Sequence, residues 1–267
     1  MTAAAALPAD LSWREEFAER GHCVLRGALP ATAIEAVAGA FRDYISGLHT
    51  DLDCRERSQA MSATRMLASL ATAPAAIRDF VRSTDLGQIA AQALDVPAVR
   101  VLHFNGFYKP VGGMVTPWHQ DMNFIPLACR TSVTLWLPMA PLAPDMAPLM
   151  FADGSQRDGA IDLRSVEARY PIAANPPMRP GDVSVHCGWV AHRSAPNRSD
   201  RPREAIAISY FPEGTRLRPR AGGPPMMASM LADLFPGLRP GDLAQGPTVP
   251  LVYPADSHRP PQWDDPS

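Results

Sequence analysis

The sequence predicts a mainly β fold, a sandwich or barrel of short strands, preceded by a helical N-terminal part. From Val99 onwards, short runs rich in β-branched and aromatic residues are separated by proline and glycine, as in "SVTLWLPMAPL" and "EAIAISYFP". Before Val99, apolar residues recur at helical spacing. A chain of 267 residues is long enough to bury a sizeable core as one such domain. We therefore predict a single domain over residues 1–267.

The mainly helical part covers about residues 1–98. Helices are predicted in "SWREEFAERG", which stops at Gly21, and in "ATAIEAVAGAFRDYISGL". The segment "HCVLRGAL" between them indicates a short strand. After the polar stretch 51–72, the segments "PAAIRDFVRS" and "LGQIAAQAL" predict at least two more helices.

The β-rich core is predicted over residues 99–218 and is followed by a proline-rich extension, residues 219–267. This extension holds a methionine-rich helix, "MMASMLADLF", and then prolines that forbid regular structure across most of the tail. Long polar or proline-flanked connections often form lids. We therefore expect residues 51–72 and 225–235 to be mobile flaps over the site.

The composition excludes several classes of partner. The formal net charge is −2 with both signs interspersed, so the chain lacks the basic stripe of a protein that binds nucleic acid or a membrane surface. The four cysteines are far apart, which indicates free thiols in a reducing compartment. The first residues carry no leader pattern, and no long apolar run follows. We expect a cytoplasmic monomer or weak homo-oligomer with a small-molecule substrate.

The stretch "TPWHQDMNF" places His119 and Asp121 two residues apart. In a strand, both side chains would project to one face while Gln120 points away. An isolated His-x-Asp is more often a surface turn or a satisfied buried pair. A third ligand would lie on a distant strand, and His186 and His192 are the candidates. Two histidines and one carboxylate leave three positions of an octahedral metal open, as in non-haem Fe(II) oxygenases.

Three segments in this order resemble the phytanoyl-CoA dioxygenase family of Fe(II)- and 2-oxoglutarate-dependent oxygenases. They are "EEFAERGHCVLRGALPATAIEAVAGAF", "FYKPVGGMVTPWHQDMNFIPL" and "GDVSVHCGWVAHRSAPNRSDRPREAIAISYF". The resemblance implies a double-stranded β-helix, a cupin-like jelly-roll with the iron between its two sheets. It implies Fe(II) as cofactor, 2-oxoglutarate and O2 as cosubstrates, and His119, Asp121 and His192 as metal ligands. His186 would then line the core or the pocket without touching the metal.

The resemblance also implies a cosubstrate site. Arg203, eleven residues beyond His192, would pair with the distal carboxylate of 2-oxoglutarate, because a guanidinium fork matches a carboxylate with two hydrogen bonds. Five further residues would help to hold or surround the cosubstrate: Thr134, Ser194, Gln120, Trp136 and Asn105. Two other polar residues have plainer interpretations. His103 is expected to be a satisfied interior histidine, and Lys109 an ordinary solvated strand end.

The implied activity is oxidation of a small molecule, for example a specialised metabolite, with release of succinate and CO2. Asp121 favours hydroxylation, desaturation, epimerisation or ring closure over halogenation, since halogenating relatives replace this carboxylate by a small residue. In "PDMAPLMFADGSQ", Met146-Ala147 replaces the Asn-Gly of many members and Gln156 replaces a histidine, which leaves the loop shape and the substrate range open.

Two other functions compete with this one. One is a Zn(II)-dependent, non-redox hydrolase or isomerase on a cupin-like barrel. The other is a binding protein that has lost catalysis. The first has no need for Arg203, and the second would have lost ligands that this chain retains.

Overall fold

The structure, a computed structural model, describes residues 12–47, 65–68, 70, 73–218 and 224–254. Its N-terminal part alternates helices with two short strands. In chain order these are α1 Ser12–Arg20, β1 His22–Leu25, α2 Ala31–Gly47, β2 Arg65–Ala68, α3 Ala75–Val81 and α4 Thr84–Leu94.

The rest of the described chain is mostly β-structure. Its strands are β3 Val99–Lys109, β4 Thr116–His119, β5 Val133–Pro138, β6 Leu149–Ala152, β7 Ile172–Ala174, β8 Val183–Cys187, β9 His192–Ser194, β10 Arg203–Pro212 and β11 Leu251–Tyr253. Two helices interrupt them, α5 Val166–Arg169 and α6 Pro225–Leu234.

The strands form two antiparallel sheets. The larger has seven strands in the order β1-β8-β5-β10-β3-β11, with β2 also paired to β3, and the smaller has four in the order β4-β9-β6-β7. The sheets pack face to face: the ring of Phe151 in β6 stacks on that of His22 in β1, with centroids 4.2 Å apart. The predicted mainly β fold with N-terminal helices is confirmed.

Two strands lie where the sequence predicts other structure. Part of the polar stretch 51–72 is strand β2, which pairs with β3, and the remainder of that stretch lies almost wholly outside the described residues. In the proline-rich tail, β11 pairs with the first two residues of β3, Val99 and Arg100. Pro250 and Pro254 flank β11 rather than interrupt it, so no ladder hydrogen bond is lost.

Helices α1 and α4 pack against the larger sheet. Helix α4 buries Leu86, Ile89 and Ala90, and it comes so close to β11 that a Cβ added at Gly87 would lie 3.0 Å from the Cβ of Tyr253. Within the described ranges, no helix combines the length and the hydropathy needed to span a membrane. Helices α1 and α4 therefore support the larger sheet and leave the space between the two sheets for the site.

Candidate metal centre

His119 and Asp121 reach the site from the end of β4. His119 is the last residue of the strand, and Asp121 begins a short 3-10 turn over Asp121–Asn123. Gln120 between them is extended, with φ −121° and ψ 126°, so its two neighbours project to the same side. This alternation agrees with the sequence prediction, although Asp121 itself lies in a turn and not in the strand.

His192 is brought to the same place by strand pairing. It lies directly opposite His119 in the β4–β9 ladder, and the two ring centroids are 4.0 Å apart. Between the pairs Thr116–Ser194 and His119–His192, β4 contains one residue more than β9. Such a bulge bends its strand and re-aims a side chain, and bulges are common beside active sites.

The three side chains fit one metal ion. Their ligand atoms all lie within 4.8 Å of one another. Oδ1 of Asp121 is 3.7 Å from Nε2 of His119 and 3.8 Å from Nε2 of His192. Nitrogen and oxygen ligands lie about 2.0–2.2 Å from a first-row metal, so two ligands of one ion are at most about 4.4 Å apart. Both Asp121–histidine distances fall below this limit. Two imidazoles and one carboxylate suit Fe(II).

The backbone sets the tautomer of both histidines. Nδ1 of His119 lies 2.9 Å from the carbonyl oxygen of Pro117, and Nδ1 of His192 lies 3.1 Å from that of Val190. A carbonyl only accepts hydrogen bonds, so each Nδ1 carries the proton and the neutral ring has its lone pair on Nε2. The Nε2 atoms are the ones that face Asp121, as metal-binding histidines require.

Asp121 is an ionised carboxylate held from two sides. Burial alone would raise its pKa, but His192, His186 and His119 together hold that pKa well below its ordinary value. Its Oδ2 accepts a hydrogen bond of 3.1 Å from Thr134 and lies 3.7 Å from Nε2 of His186. His186 thus lies behind Asp121, outside the three-ligand cluster, so the geometry favours His192 as the third ligand.

A cavity of about 440 Å³ opens at this cluster and passes between the sheets. Eight of the nine predicted site residues line it: His119, Asp121, His192, Arg203, Thr134, Ser194, Trp136 and Asn105. Thr134 also has contacts that the sequence does not predict: its hydroxyl donates to Asp121 and lies 2.9 Å from that of Ser209. The Oδ1 atom of Asn105 is buried and has no hydrogen-bond partner among the described residues.

Gln120 is the exception, and its predicted cosubstrate contact is corrected by the structure. It is fully buried away from the cavity. Its amide nitrogen donates to the carbonyl oxygens of Gly159 (2.7 Å) and Trp189 (2.6 Å), and its amide oxygen accepts from the backbone of Ile161 at 3.1 Å. The side chain of an extended residue points opposite to those of its neighbours. Gln120 therefore holds the backbone of these distant segments in place, while His119 and Asp121 face the cavity.

Arg203 lies buried in the cavity wall, at the first residue of β10. It is 3% exposed. One terminal nitrogen donates a hydrogen bond to the carbonyl oxygen of Ala147 at 2.9 Å. The guanidinium carbon lies 5.4 Å from the centre of the Trp136 ring. The Nε atom has no hydrogen-bond partner among the described residues. Burial lowers its pKa to about 10, so it stays positive at neutral pH. In the described part of the chain it has no acidic partner.

Lys109 is a site residue that the sequence analysis missed. It is 7% exposed and lines the cavity, so the prediction of a solvated strand end is wrong. Its Nζ donates to Ser194 Oγ at 2.6 Å, the Ala195 carbonyl oxygen at 3.0 Å and Thr116 Oγ1 at 3.4 Å. Burial, together with the charge of Arg203, lowers its pKa to about 7. One signal was available: Lys109 is the chain's single lysine. His103 also lines the cavity.

The loop at Met146-Ala147 has an unusual backbone. Ala147 has φ +52°, in the left-handed region that glycine adopts readily and alanine does not. Its carbonyl oxygen accepts the hydrogen bond from Arg203. This turn therefore supplies an acceptor that helps to position the buried arginine.

Part of the cavity lining is an apolar wall. Helix α6 contributes Met226 and Met230, and the segment before β4 contributes Met114 and Val115. The side chains of Met114 and Val115 are 73% and 43% exposed. Large apolar side chains left exposed at the edge of a cavity are typical of a ligand site.

Comparisons with known proteins agree with this geometry. Solved structures share the fold. SnoN, an alpha ketoglutarate dependent epimerase from nogalamycin biosynthesis, matches with a TM-score of 0.70 at 19% identity over 91% of this chain and 99% of its own. SnoK, a carbocyclase from the same biosynthesis, matches with a TM-score of 0.70 at 20% identity over 94% of this chain and 99% of its own. EctD from S. alaskensis, solved with 2-oxoglutarate and 5-hydroxyectoine, matches with a TM-score of 0.66 at 20% identity over 80% of this chain and 79% of its own.

A family model described as phytanoyl-CoA dioxygenase (PhyH) matches residues 17–205. This range contains His119, Asp121, His192 and Arg203, the residues on which the predicted chemistry depends. The match confirms the predicted enzyme class, with iron and 2-oxoglutarate as cofactor and cosubstrate. The jelly-roll fold is confirmed by the structural matches. Since the matched range spans most of the sequence, the chain belongs to the phytanoyl-CoA dioxygenase family.

Proposed function

We propose that the protein is a dioxygenase that oxidises a C–H bond of a partly apolar small molecule, a specialised metabolite, and releases succinate and CO2. One observation carries the proposal: the same cavity holds the three-ligand cluster and, in its wall, the buried Arg203. A metal site alone would serve many reactions, whereas a metal site combined with a buried arginine suits a chelating keto acid that ends in a second carboxylate.

The side chains have separate duties in this proposal. His119, Asp121 and His192 would hold Fe(II), which with 2-oxoglutarate supplies the activation of O2 that a C–H oxidation requires. Arg203 would bind the far carboxylate of the cosubstrate through two parallel hydrogen bonds. A buried charge without a partner costs free energy. The bound carboxylate would therefore also stabilise the buried guanidinium of Arg203.

The apolar wall indicates the class of substrate. Methionine and aromatic side chains line this part of the cavity, and Asp121 is the one acidic residue among the described residues of its lining. A cationic substrate would thus find no counter-charge once Asp121 holds a metal. We infer an uncharged or anionic molecule with an apolar face, which the wall orients while it excludes water from the reacting centre. The matched structures include proteins of nogalamycin biosynthesis, which supports a specialised metabolite.

Several reaction outcomes fit the same site. Hydroxylation, desaturation, epimerisation and ring closure all begin with hydrogen abstraction from a positioned C–H bond. The matched structures include an epimerase, a carbocyclase and a protein solved with 5-hydroxyectoine. The non-redox hydrolase or isomerase remains the competing function, and Arg203 argues against it because hydrolysis needs no second carboxylate site.

The proposal is tested by titrating the Fe(II)-loaded protein with 2-oxoglutarate under anaerobic conditions, followed by a substrate screen that measures succinate release in air. We expect saturable binding with a visible charge-transfer band, and succinate release that rises with an accepted substrate. The Zn(II)-loaded protein serves as the control and should release no succinate. Absence of 2-oxoglutarate binding, or hydrolysis by the Zn(II) form, would favour the competing function.

We further propose that the chain is a cytoplasmic monomer or weak homo-oligomer, folded as one domain. Free thiols at Cys23, Cys129 and Cys187 support a reducing compartment. Strands β1 and β11 lie in the same sheet as β3, which supports a single domain. Helix α6 covers most of the predicted flap 225–235 and places two methionines in the cavity wall, so we retain it as a candidate lid.

A further inference from the structure

We propose that Lys109 is a second cationic contact for the distal carboxylate of 2-oxoglutarate, so that Lys109 and Arg203 form a two-cation seat. The proposal rests on the proposed function and adds a binding residue that lies outside the His-x-Asp and arginine motifs. Its basis is strand register, burial and charge.

Strand register places the two cations side by side. Arg203 and Lys109 are directly opposite each other in the β10–β3 ladder. Opposite residues of an antiparallel pair project from the same face with Cβ atoms about 4.5–5.5 Å apart, and both side chains line the cavity. Like charges directly opposite each other are unfavourable. An anion placed between them would remove that repulsion.

Neither cation has an acidic partner among the residues that the structure describes. The partners of Lys109 and Arg203 are neutral oxygens, namely two hydroxyls and the backbone carbonyls of Ala195 and Ala147. Arg193, a third cation in the lining, is different: it pairs with Glu167 at 2.8 Å. Two buried positive charges with only neutral partners are costly. The seat is therefore built for an anion.

Ser194 connects the seat to the predicted cosubstrate site. Its Oγ accepts the 2.6 Å hydrogen bond of Lys109 and donates to Thr116 Oγ1 at 3.1 Å. Ser194 lies two residues after His192 on the same strand and also lines the cavity. A carboxylate that reaches the Ser194 hydroxyl is thus close to the Lys109 amine. The lowered pKa of Lys109, about 7, agrees with an amine that gains its full charge when an anion arrives.

A pair of ligands separates this role from a purely structural one. 2-Oxopentanoate has the keto-acid end and chain length of 2-oxoglutarate but carries a methyl group in place of the distal carboxylate. Binding of each ligand would be measured by calorimetry on protein loaded with Ni(II), a redox-stable ion that such ligands bind tightly. Lys109→Met should raise the dissociation constant of 2-oxoglutarate about tenfold or more, since charged hydrogen bonds are among the stronger ones. The value for 2-oxopentanoate should stay unchanged.

Arg100→Met is the matched control. Arg100 lies on the same strand and pairs with Glu213, away from the cavity lining, so its loss should leave both dissociation constants unchanged. Lys109→Gln removes the charge but keeps a donor for Ser194, and it replaces Lys109→Met if that variant does not fold.

Three results would overturn the proposal. Unchanged 2-oxoglutarate affinity in a folded Lys109 variant would show that Lys109 does not contact the cosubstrate. Equal losses for the two ligands would show a structural role only. Absence of 2-oxoglutarate binding by the wild type would overturn the proposed function as well, which distinguishes that failure from the other two.

Discussion

The cavity lining contains two groups of charged residues, named here the metal end and the distal end, that differ in how their charges are balanced. At the metal end, formed by His119, Asp121 and His192, one carboxylate lies among imidazoles whose orientations the backbone fixes. At the distal end, formed by Lys109 and Arg203, two cations have only neutral oxygen partners among the described residues. The metal end is organised by the protein itself, whereas the distal end reaches charge balance only with an anion. Changes at the two ends should therefore affect different ligands.

The largest effect is expected at the metal end. Changing His119, Asp121 or His192 to alanine removes one of the three proposed protein ligands. Replacing even an outer partner of a ligand typically costs about 10–100-fold in metal affinity or activity, so each variant should lose about 100-fold or more in metal affinity and all coupled turnover. Metal content after dialysis and succinate release measure the two effects.

His186→Ala is the matched control, because His186 is a neighbouring histidine that contacts the opposite oxygen of Asp121. It should retain bound metal, with at most the loss of affinity that is typical of an outer partner and a smaller loss than in the three ligand variants. Loss of the metal in this variant, with retention in His192→Ala, would reverse the ligand assignment.

Arg203→Ala should give the next largest effect, a loss of 2-oxoglutarate affinity at the distal end. Removing one partner of a buried charged pair costs about 2–5 kcal/mol, so the dissociation constant of 2-oxoglutarate should rise roughly 30-fold or more. Affinity for the metal alone should barely change. Both constants are measured under anaerobic conditions.

Arg203→Lys keeps the charge and loses the fork of the guanidinium. It should recover only part of the affinity, because one ammonium group cannot make two parallel hydrogen bonds. Unchanged 2-oxoglutarate affinity in a folded, metal-loaded Arg203→Ala protein would refute the assignment.

A smaller effect should appear in stability rather than in binding. Gln120→Ala leaves two carbonyl oxygens and one backbone N–H without their side-chain partner. The free energy of unfolding should fall by about 2–4 kcal/mol, since each buried group left unsatisfied costs about 1–3 kcal/mol and neighbouring losses are not additive. Denaturant titration measures this loss. A folded variant with unchanged stability and weaker 2-oxoglutarate binding would instead restore the predicted cosubstrate contact.

The smallest expected effect is a gain. Ala147 has φ +52°, and the left-handed conformation costs a non-glycine residue about 1–2 kcal/mol. Ala147→Gly should therefore raise the melting temperature by about 2–4 °C, as expected for about 1 kcal/mol in a protein of this size. Ala152→Gly in strand β6 is the control and should lower it, because glycine weakens a regular strand. A lower melting temperature for Ala147→Gly would mean that the turn is unstrained.

The sequence predicts the metal end better than the distal end, for a physical reason. His119 and Asp121 are two residues apart, and local alternation is enough to place them on one side. The roles of Lys109 and Gln120 depend on pairing and packing with distant segments, which no local pattern contains. Lys109 ends a strand in the sequence, and only the β3–β10 register buries it. Strands β2 and β11 were missed for the same reason, because their partners lie far away along the chain.

The most direct test of the division between the two ends is a crystal structure of the protein with Mn(II), as a redox-stable substitute for iron, and 2-oxoglutarate, with anomalous scattering to locate the metal. We predict one metal peak bonded to Nε2 of His119, a carboxylate oxygen of Asp121 and Nε2 of His192. The keto-acid end of 2-oxoglutarate should contact that ion, and its far carboxylate should lie between Arg203 and Lys109. A metal bound to His186 instead of His192, or a cosubstrate carboxylate far from both cations, would contradict this account.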